Sequence, residues 1–427
     1  MDPIVDCLAT PFDTELLQFS NGIRKRETCK MEPNTELHQL TRCPLSLHKT
    51  QIDPVATSTE AVDFWHRAPQ NRTASLFTLN ETAPRRDYRR VAVGRGSRTK
   101  SVRASVRKAK GPRDPRCDRM ETGTIPIDEL AGGLDLYRTL ESGQSYLWRR
   151  EDGEMYTDTV APGAWYSTVV GSDAASGGSD AANGSTGDVI RVRIRDGDLE
   201  WESTIDAESP VRRLLRLADD LEAIVAAGPN DPLLREAYEA HRGMRLVADP
   251  PFGCLISFIC SAQMRVGRIH TMVSTLAREY GDEIDFDGET YHAFPTPEQL
   301  ATATEAELRE LGLGYRAPYV VRTAEMVASG EDHPAEARDL PYEDAREYLT
   351  RFVGVGDKVA DCVLLFSLDF DEAVPLDTWI KSAIEEYYPD CDRGTYADTS
   401  RALRERLGGE YAGYAQTYVF HHLRTGA

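Results

Sequence analysis

Val353-Gly354-Val355-Gly356-Asp357-Lys358-Val359-Ala360-Asp361-Cys362 is the stretch on which the fold turns. Apolar residues recur at three- and four-residue spacing on either side of it. The spacing predicts helices over 343–351 and 357–369. Between them lies Gly354-Val355-Gly356, a glycine hairpin. Such a hairpin presents backbone N–H groups at a helix N-terminus, a phosphate site that needs no cationic side chain. Taken alone, a glycine pair between helices is an ordinary turn. Lys358 sets this one apart. From Met120 onward the chain has only two lysines, Lys358 and Lys381, and carries a formal charge of −28, whereas residues 1–119 carry +8. A lysine amine is what Schiff-base chemistry needs, and arginine cannot replace it because it does not deprotonate.

Nineteen residues after the lysine comes Asp377, in Ala373-Val374-Pro375-Leu376-Asp377-Thr378-Trp379. By default an Asp that opens a helix is its N-cap. The same carboxylate, placed beside the lysine amine, would stabilise a developing cation. The two roles are compatible.

The 427 residues have room for two or three cores, and 41% apolar with 28% charged residues is a globular balance. The longest apolar stretches, around 254–262 and 359–368, fall short of the roughly 18 residues that span a bilayer. There is no basic start followed by an apolar run and a small-residue cleavage site, so no secretory signal is read and a cytoplasmic location is expected. Eight cysteines, at 7, 29, 43, 117, 254, 260, 362 and 391, include no CxxC pair. Those in the main body read as reduced core thiols, and no spacing suggests zinc or an iron–sulfur cluster. Acid excess with so little lysine is what very high salt favours, so a halophilic source is expected. The competing reading is an acidic protein that avoids nucleic acid, and the motifs below argue against it.

Residues 1–119 differ from the rest. They hold six of the eight lysines, lack sustained apolar periodicity, and end in a basic run over 85–119. One reading is a disordered basic arm that grips DNA. The other is that Met120 is the true start and the upstream residues are a translated leader; the charge reversal at Met120 favours this one. Residues 120–210 read as an antiparallel β domain, with strands expected at 144–149, 164–170, 188–194 and 200–205. The Gly/Ser/Ala/Asp run over 171–188 reads as a flexible loop. Residues 211–427 read as helical. Helices are expected at 211–226, 232–242, 250–262, 264–280, 297–302, 304–311, 315–329, 377–388, 396–407 and 409–425, besides the hairpin pair.

Together these segments resemble the helix-hairpin-helix superfamily of DNA glycosylases, and within it the 8-oxoguanine DNA glycosylases with abasic-site lyase activity. The resemblance runs from about residue 125 to the C-terminus. It implies an α+β protein: an N-terminal antiparallel β domain, then an all-α helix-hairpin-helix glycosylase core. Four further segments carry it. Leu140-Glu141-Ser142-Gly143-Gln144-Ser145-Tyr146-Leu147-Trp148 is similar to the β-domain signature whose glycine offers a main-chain carbonyl to the damaged base. Guanine N7 is an acceptor, whereas 8-oxoguanine carries a hydrogen there, so a fixed Gly143 carbonyl would accept from one and repel the other. Cys260-Ser261-Ala262-Gln263-Met264-Arg265-Val266-Gly267-Arg268-Ile269 resembles the segment facing the orphaned cytosine; Gln263 stands where the family has asparagine, and Arg268 matches the family arginine. Leu311-Gly312-Leu313-Gly314-Tyr315-Arg316-Ala317 resembles the wedge loop, implying that Tyr315 inserts into the stack and Arg316 pairs with the cytosine. Ala415-Gln416-Thr417-Tyr418-Val419-Phe420 places Gln416 and Phe420 four apart on one helix face; the family uses them to read and to stack on the base.

Cys362, one turn past Lys358, would pack on the other face of the base. Without the resemblance these residues read more plainly: Gly143 as a turn, Gln263 and Arg268 as surface, Tyr315, Phe420 and Cys362 as core. Two positions depart from the family. Val353 stands where proline is usual before the hairpin, and Trp379 replaces a histidine near the phosphate.

The implied chemistry is base excision. The enzyme flips 8-oxoguanine opposite cytosine out of duplex DNA. Lys358, deprotonated in a partly desolvated pocket, attacks C1′, and Asp377 stabilises positive charge at the sugar. The base leaves, a Schiff base remains, and β-elimination nicks the strand. Gly354 and Gly356 would hold backbone phosphate. No metal or organic cofactor is implied, though the hairpin of similar enzymes holds a monovalent cation; a monomer is expected. The rivals are a monofunctional glycosylase for alkylated bases, which would lack a lysine at the hairpin, and a non-catalytic helix-hairpin-helix DNA-binding module, which would not need Gly143, Gln416 and Phe420 together.

Overall fold

The computed structural model describes residues 120–157, 159–171 and 187–426. The expectations for residues 1–119, and for most of the 171–188 loop, lie outside them. The described chain opens with a five-stranded antiparallel sheet: β1 (Glu121–Pro126), β2 (Arg149–Arg150), β3 (Tyr166–Val170), β4 (Asp188–Arg195) and β5 (Asp198–Ser203), in the order β1-β5-β4-β3-β2. Asp196-Gly197 joins β4 to β5 with both φ angles positive, the two-residue hairpin whose twist matches that of the strands. On β1, Gly123 faces Trp201, and any Cβ there would overlap the indole.

The strand expected over 144–149 is not formed. Helix α1 (Leu136–Glu141), capped by Asp135, comes first, and only Arg149–Arg150 pairs in the sheet. The reason lies in Gln144, which is buried at the helix end. Its amide donates to Ser142 Oγ at 2.9 Å, to the Thr139 carbonyl at 3.3 Å and to the Arg245 carbonyl at 3.0 Å. A buried polar side chain seeking partners outweighs a short alternating pattern.

Helices follow the sheet: α2 (Glu208–Leu214), α3 (Leu221–Ala227), α4 (Pro232–Ala240), α5 (Pro251–Ser261) and α6 (Val266–Tyr280). The single helix expected over 211–226 is broken between α2 and α3, where Arg216 takes φ +48°. A small hairpin, β6 (Glu283–Phe286) and β7 (Glu289–His292), was not anticipated; Asp287-Gly288, both at positive φ, makes its turn. Then come α7 (Pro297–Leu300), α8 (Glu305–Glu310), α9 (Ala317–Ala328), α10 (Tyr342–Leu349), α11 (Asp357–Ser367), α12 (Thr378–Tyr387), α13 (Tyr396–Arg406) and α14 (Ala412–Thr425). Thr296 and Thr304 start α7 and α8 with capping boxes.

The sheet and the helices share one core, in which Ile125, Tyr166 and Ile190 join Leu255, Leu364 and Val419. Every residue of α5 is buried, as is all of α11 from Val359 to Ser367. Arg245 is fully buried, and its guanidinium donates to the carbonyls of Ala131, Gly133, Arg216 and Asp219, each at 2.9 Å. It thereby rivets the loop before α1 to the α2–α3 connection. Cys254, Cys260, Cys362 and Cys391 are buried free thiols, as the sequence suggests. Among the described residues no helix is long and apolar enough to cross a membrane.

Candidate active site

The hairpin between α10 and α11 is built as its sequence requires. Gly354 takes φ +88°, and a Cβ on it would meet the Tyr319 side chain at 2.7 Å, so both conformation and space demand glycine. Thr323 Oγ1 donates to the Val353 carbonyl at 3.2 Å, holding the turn on α9. Gly356 is the N-cap of α11 and supplies no side chain over the helix end. The N-terminus of α11 therefore has no side-chain cap, and its first turn carries Asp357 and Lys358; an uncapped helix start is able to receive a phosphate.

Lys358, in that first turn, is half-buried. Its Nζ lies 3.5 Å from Ser261 Oγ and 5.3 Å from the centre of the Phe258 ring. Ser261 donates its own hydrogen to the Phe258 carbonyl at 2.7 Å, so its oxygen is left to accept from the lysine. Cys362 lies one turn further along α11; burial pushes its thiol up to about 11, against the pull of Lys358, so it is a neutral, apolar wall.

Asp377 is the N-cap of α12, with Oδ1 accepting from Ile380 N at 2.8 Å. Burial raises its carboxyl above the ordinary range, and the Ile380 N–H and the charge of Lys358 act in the opposite direction. The cap and the charge partner of the lysine are thus the same carboxyl group.

The opposite wall is the turn after α1. Gly143 takes φ +96°, with Val266 Cγ1 and Arg424 Nη1 at 3.0 and 3.4 Å from where a Cβ would sit. Glu141 anchors that turn: buried, it pairs with Arg150 at 2.7 Å and accepts from Tyr166 Oη at 2.8 Å and from Tyr156 N at 2.6 Å. Helix α14 brings Gln416, buried, and Phe420, half-buried, to the same space. Arg424, one turn on, stands 5.5 Å from the Phe420 ring centre, and its Nη2 donates to the Glu141 carbonyl at 2.9 Å. It ties α14 to the Gly143 turn.

A cleft of about 1470 Å³ gathers these pieces. Gly143, Gln263, Arg268, Gly354, Gly356, Lys358, Cys362, Asp377, Gln416 and Phe420 all line it. Of the residues singled out in the sequence, Tyr315 and Arg316 are not among its lining. Tyr315 is 52% exposed beside the rim, its hydroxyl 3.5 Å from the Ala262 carbonyl. Arg316 is buried under the Tyr315 ring, 4.3 Å away, and donates to that same carbonyl, the acceptor a buried guanidinium needs. Arg268, exposed, reaches the wedge loop: a Cβ on Gly312 would meet its Nη2 at 2.8 Å. Gln263 is exposed and takes φ +55°, which its amide side chain tolerates better than a β-branched one would.

Sequence reasoning assigned no role to Ser261, Phe258, Tyr146 or Arg424, all of which line the cleft. Ser261 and Tyr146 lie inside quoted motifs, but nothing local says that they face the lysine or the base. Among the described residues no group of acidic, Cys and His side chains could hold a metal ion.

Comparison with known proteins agrees with this geometry. Residues 125–255 match the family model described as "8-oxoguanine DNA glycosylase, N-terminal domain", and residues 256–408 that described as "HhH-GPD superfamily base excision DNA repair protein". A probable N-glycosylase/DNA lyase of Methanothermobacter thermautotrophicus is 36% identical over 214 residues, 45% of this chain and 68% of that protein. An N-glycosylase/DNA lyase of Arabidopsis thaliana is 30% identical over 325 residues, 70% of this chain and 80% of its own. The Clostridium acetobutylicum 8-oxoguanine glycosylase/lyase, solved with double-stranded DNA containing cytosine opposite 8-oxoguanine, superposes with a TM-score of 0.60 at 26% identity. That match covers 73% of this chain and 99% of the other.

Proposed function

The chain belongs to the 8-oxoguanine DNA glycosylases of the HhH-GPD superfamily, and from that premise we propose how its own residues carry out base excision and strand cleavage. It is a bifunctional DNA glycosylase and abasic-site lyase acting on 8-oxoguanine opposite cytosine in duplex DNA. The observation that carries the assignment of roles is the cleft: segments around 143, 263, 358, 377 and 416, far apart in the chain, meet in one cleft with Lys358, and Lys381 lines it too.

In this reading the hairpin amides and the N-terminus of α11 hold the DNA backbone, with Tyr315 and Arg268 at the rim where the base leaves the stack. The flipped base enters between Phe420 and Cys362. The Gly143 carbonyl accepts the N7 hydrogen, and the Gln416 amide takes the Watson–Crick edge. The Lys358 amine, unprotonated, forms a bond to C1′ as the C1′–N9 bond breaks, and that electron pair departs with the base. Asp377 stabilises the positive charge that builds on the sugar. Opening of the C1′–O4′ bond leaves an imine on Lys358. Loss of a C2′ proton then expels the 3′ phosphate, and water releases the lysine. Ser261 and Phe258 position the amine throughout.

Borohydride trapping tests this on a duplex with one 8-oxoguanine opposite cytosine, in high salt. A covalent adduct is expected with the wild type and with Lys381→Gln, and none with Lys358→Gln. Free base without an adduct would make the protein monofunctional; neither product would leave a DNA-binding module.

A further inference from the structure

Tyr146 follows Gly143 by three residues and lines the same cleft. Its ring is buried, the residue being 4% exposed, while its hydroxyl has no hydrogen-bond partner among the described residues and is not among their enclosed, unpaired polar atoms. The oxygen lies 3.7 Å from where a Cβ on Gly143 would sit, next to the residue whose carbonyl is assigned to the N7 hydrogen. The ring is held in place: it meets Phe258 edge-on with centroids 5.8 Å apart and lies 6.2 Å from Tyr156. Tyr156 is fixed in turn by donating to the Ser145 carbonyl at 2.6 Å. Burial, then the neighbouring Cys362, Asp377 and Cys254, raise the phenol well above its ordinary range, outweighing Arg424, so the group stays a donor at any working pH.

A hydroxyl that opens onto a binding cleft and has no protein partner is free to bond with what enters the cleft. Oxidised guanine differs from guanine at two adjacent atoms: N7 gains a hydrogen and C8 exchanges its hydrogen for a carbonyl oxygen. The Gly143 carbonyl addresses the first. We propose that the Tyr146 hydroxyl addresses the second, donating a hydrogen bond to the C8 carbonyl, so that Gly143 and Tyr146 together form an acceptor–donor pair complementary to the N7–H/C8=O edge. Guanine meets this pair with a lone pair against the Gly143 carbonyl and a C–H against the phenol, so both polar groups go unpaired and the wrong base is rejected. This inference rests on the docking of the base at Gly143.

Tyr146→Phe keeps the ring and removes only the hydroxyl. Affinity is measured in the Lys358→Gln background, where the base stays attached, for three lesions opposite cytosine: 8-oxoguanine, 8-oxo-2-aminopurine and a tetrahydrofuran abasic analogue. The second keeps the C8 carbonyl and the N7 hydrogen but lacks the oxygen at C6. Loss of one buried hydrogen bond is expected to weaken both 8-oxo duplexes about tenfold and leave the abasic duplex unchanged. In the active enzyme, cleavage at a preformed abasic site should be unaffected by Tyr146→Phe. Equal affinity for 8-oxoguanine with and without the hydroxyl overturns the proposal. So does a loss confined to 8-oxoguanine, which would place the bond on the C6 oxygen, or a loss that extends to the abasic duplex, which would make the tyrosine structural. If the Lys358→Gln protein does not prefer 8-oxoguanine to guanine opposite cytosine at all, the docking at Gly143 fails, and this inference fails with it.

Discussion

The Lys358 amine and the Ser261 hydroxyl are 3.5 Å apart across α11 and α5, although 97 residues separate them in the chain. With the Phe258 ring alongside, this contact fixes where the amine points. Ser261→Ala removes the acceptor and little volume. It is expected to slow single-turnover excision about three- to tenfold, the worth of one neutral hydrogen bond near 1 kcal/mol, with unchanged thermal unfolding. An excision rate equal to that of the wild type would show that Phe258 and the cleft wall suffice.

Asp377 both caps α12 and faces the lysine. Asparagine caps as well as aspartate, whereas alanine costs about 1 kcal/mol of stability. Asp377→Asn should therefore melt close to the wild type yet lose on the order of a hundredfold or more in excision rate. Asp377→Ala should lose both. Were Asp377→Asn fully active, the carboxylate would be a cap alone.

Gly143 has positive φ and Val266 Cγ1 at 3.0 Å from the position of a Cβ. Gly143→Ala is expected to abolish recognition of 8-oxoguanine while cleavage at a preformed abasic site persists, since the groups the methyl meets, Val266, Arg424 and Tyr146, line the cleft on the Gly143 side. Gel analysis of the two substrates in parallel decides this. Equal loss on both would indicate collapse of the turn.

Asp361, fully buried, accepts from Tyr342 Oη at 2.8 Å and Tyr396 Oη at 2.7 Å. Burial pushes its carboxyl up to about 7 from an ordinary 3.8, against Arg346 and the two phenols. The folded state thus holds this proton more tightly than the unfolded state does. Its stabilising effect is complete below about pH 4 and is lost as pH rises through about 7. Asp361→Asn should flatten the slope of stability against pH over that interval relative to the wild type, read from urea unfolding at a series of pH values. Parallel slopes would refute the assignment.

What could be read from the sequence was local. The hairpin was legible because only glycine satisfies Gly354, and the following lysine stands out in an acidic chain. Asp377 was legible as a cap because Pro and Asp before a helical pattern are a boundary signal. The α14 pair was legible from its four-residue spacing. The stretch 144–149 reads as a strand because its alternation is real, but the buried Gln144 amide binds the carbonyls of Thr139 in α1 and of Arg245, the latter 101 residues away.

The sequence by itself determined the chemistry on offer: one amine at a helix start, one carboxylate at the next, and a glycine able to expose a carbonyl. These follow from backbone geometry and side-chain type, which act over a few residues. Only the tertiary structure decided which groups share the cleft. Arg424 reaches the Glu141 carbonyl across 283 residues, and Tyr146 faces the space beside Cys362 and Asp377. Such contacts are set by how α5, α11 and α14 pack, and packing is a property of the whole core that leaves no periodic trace at the residues it brings together.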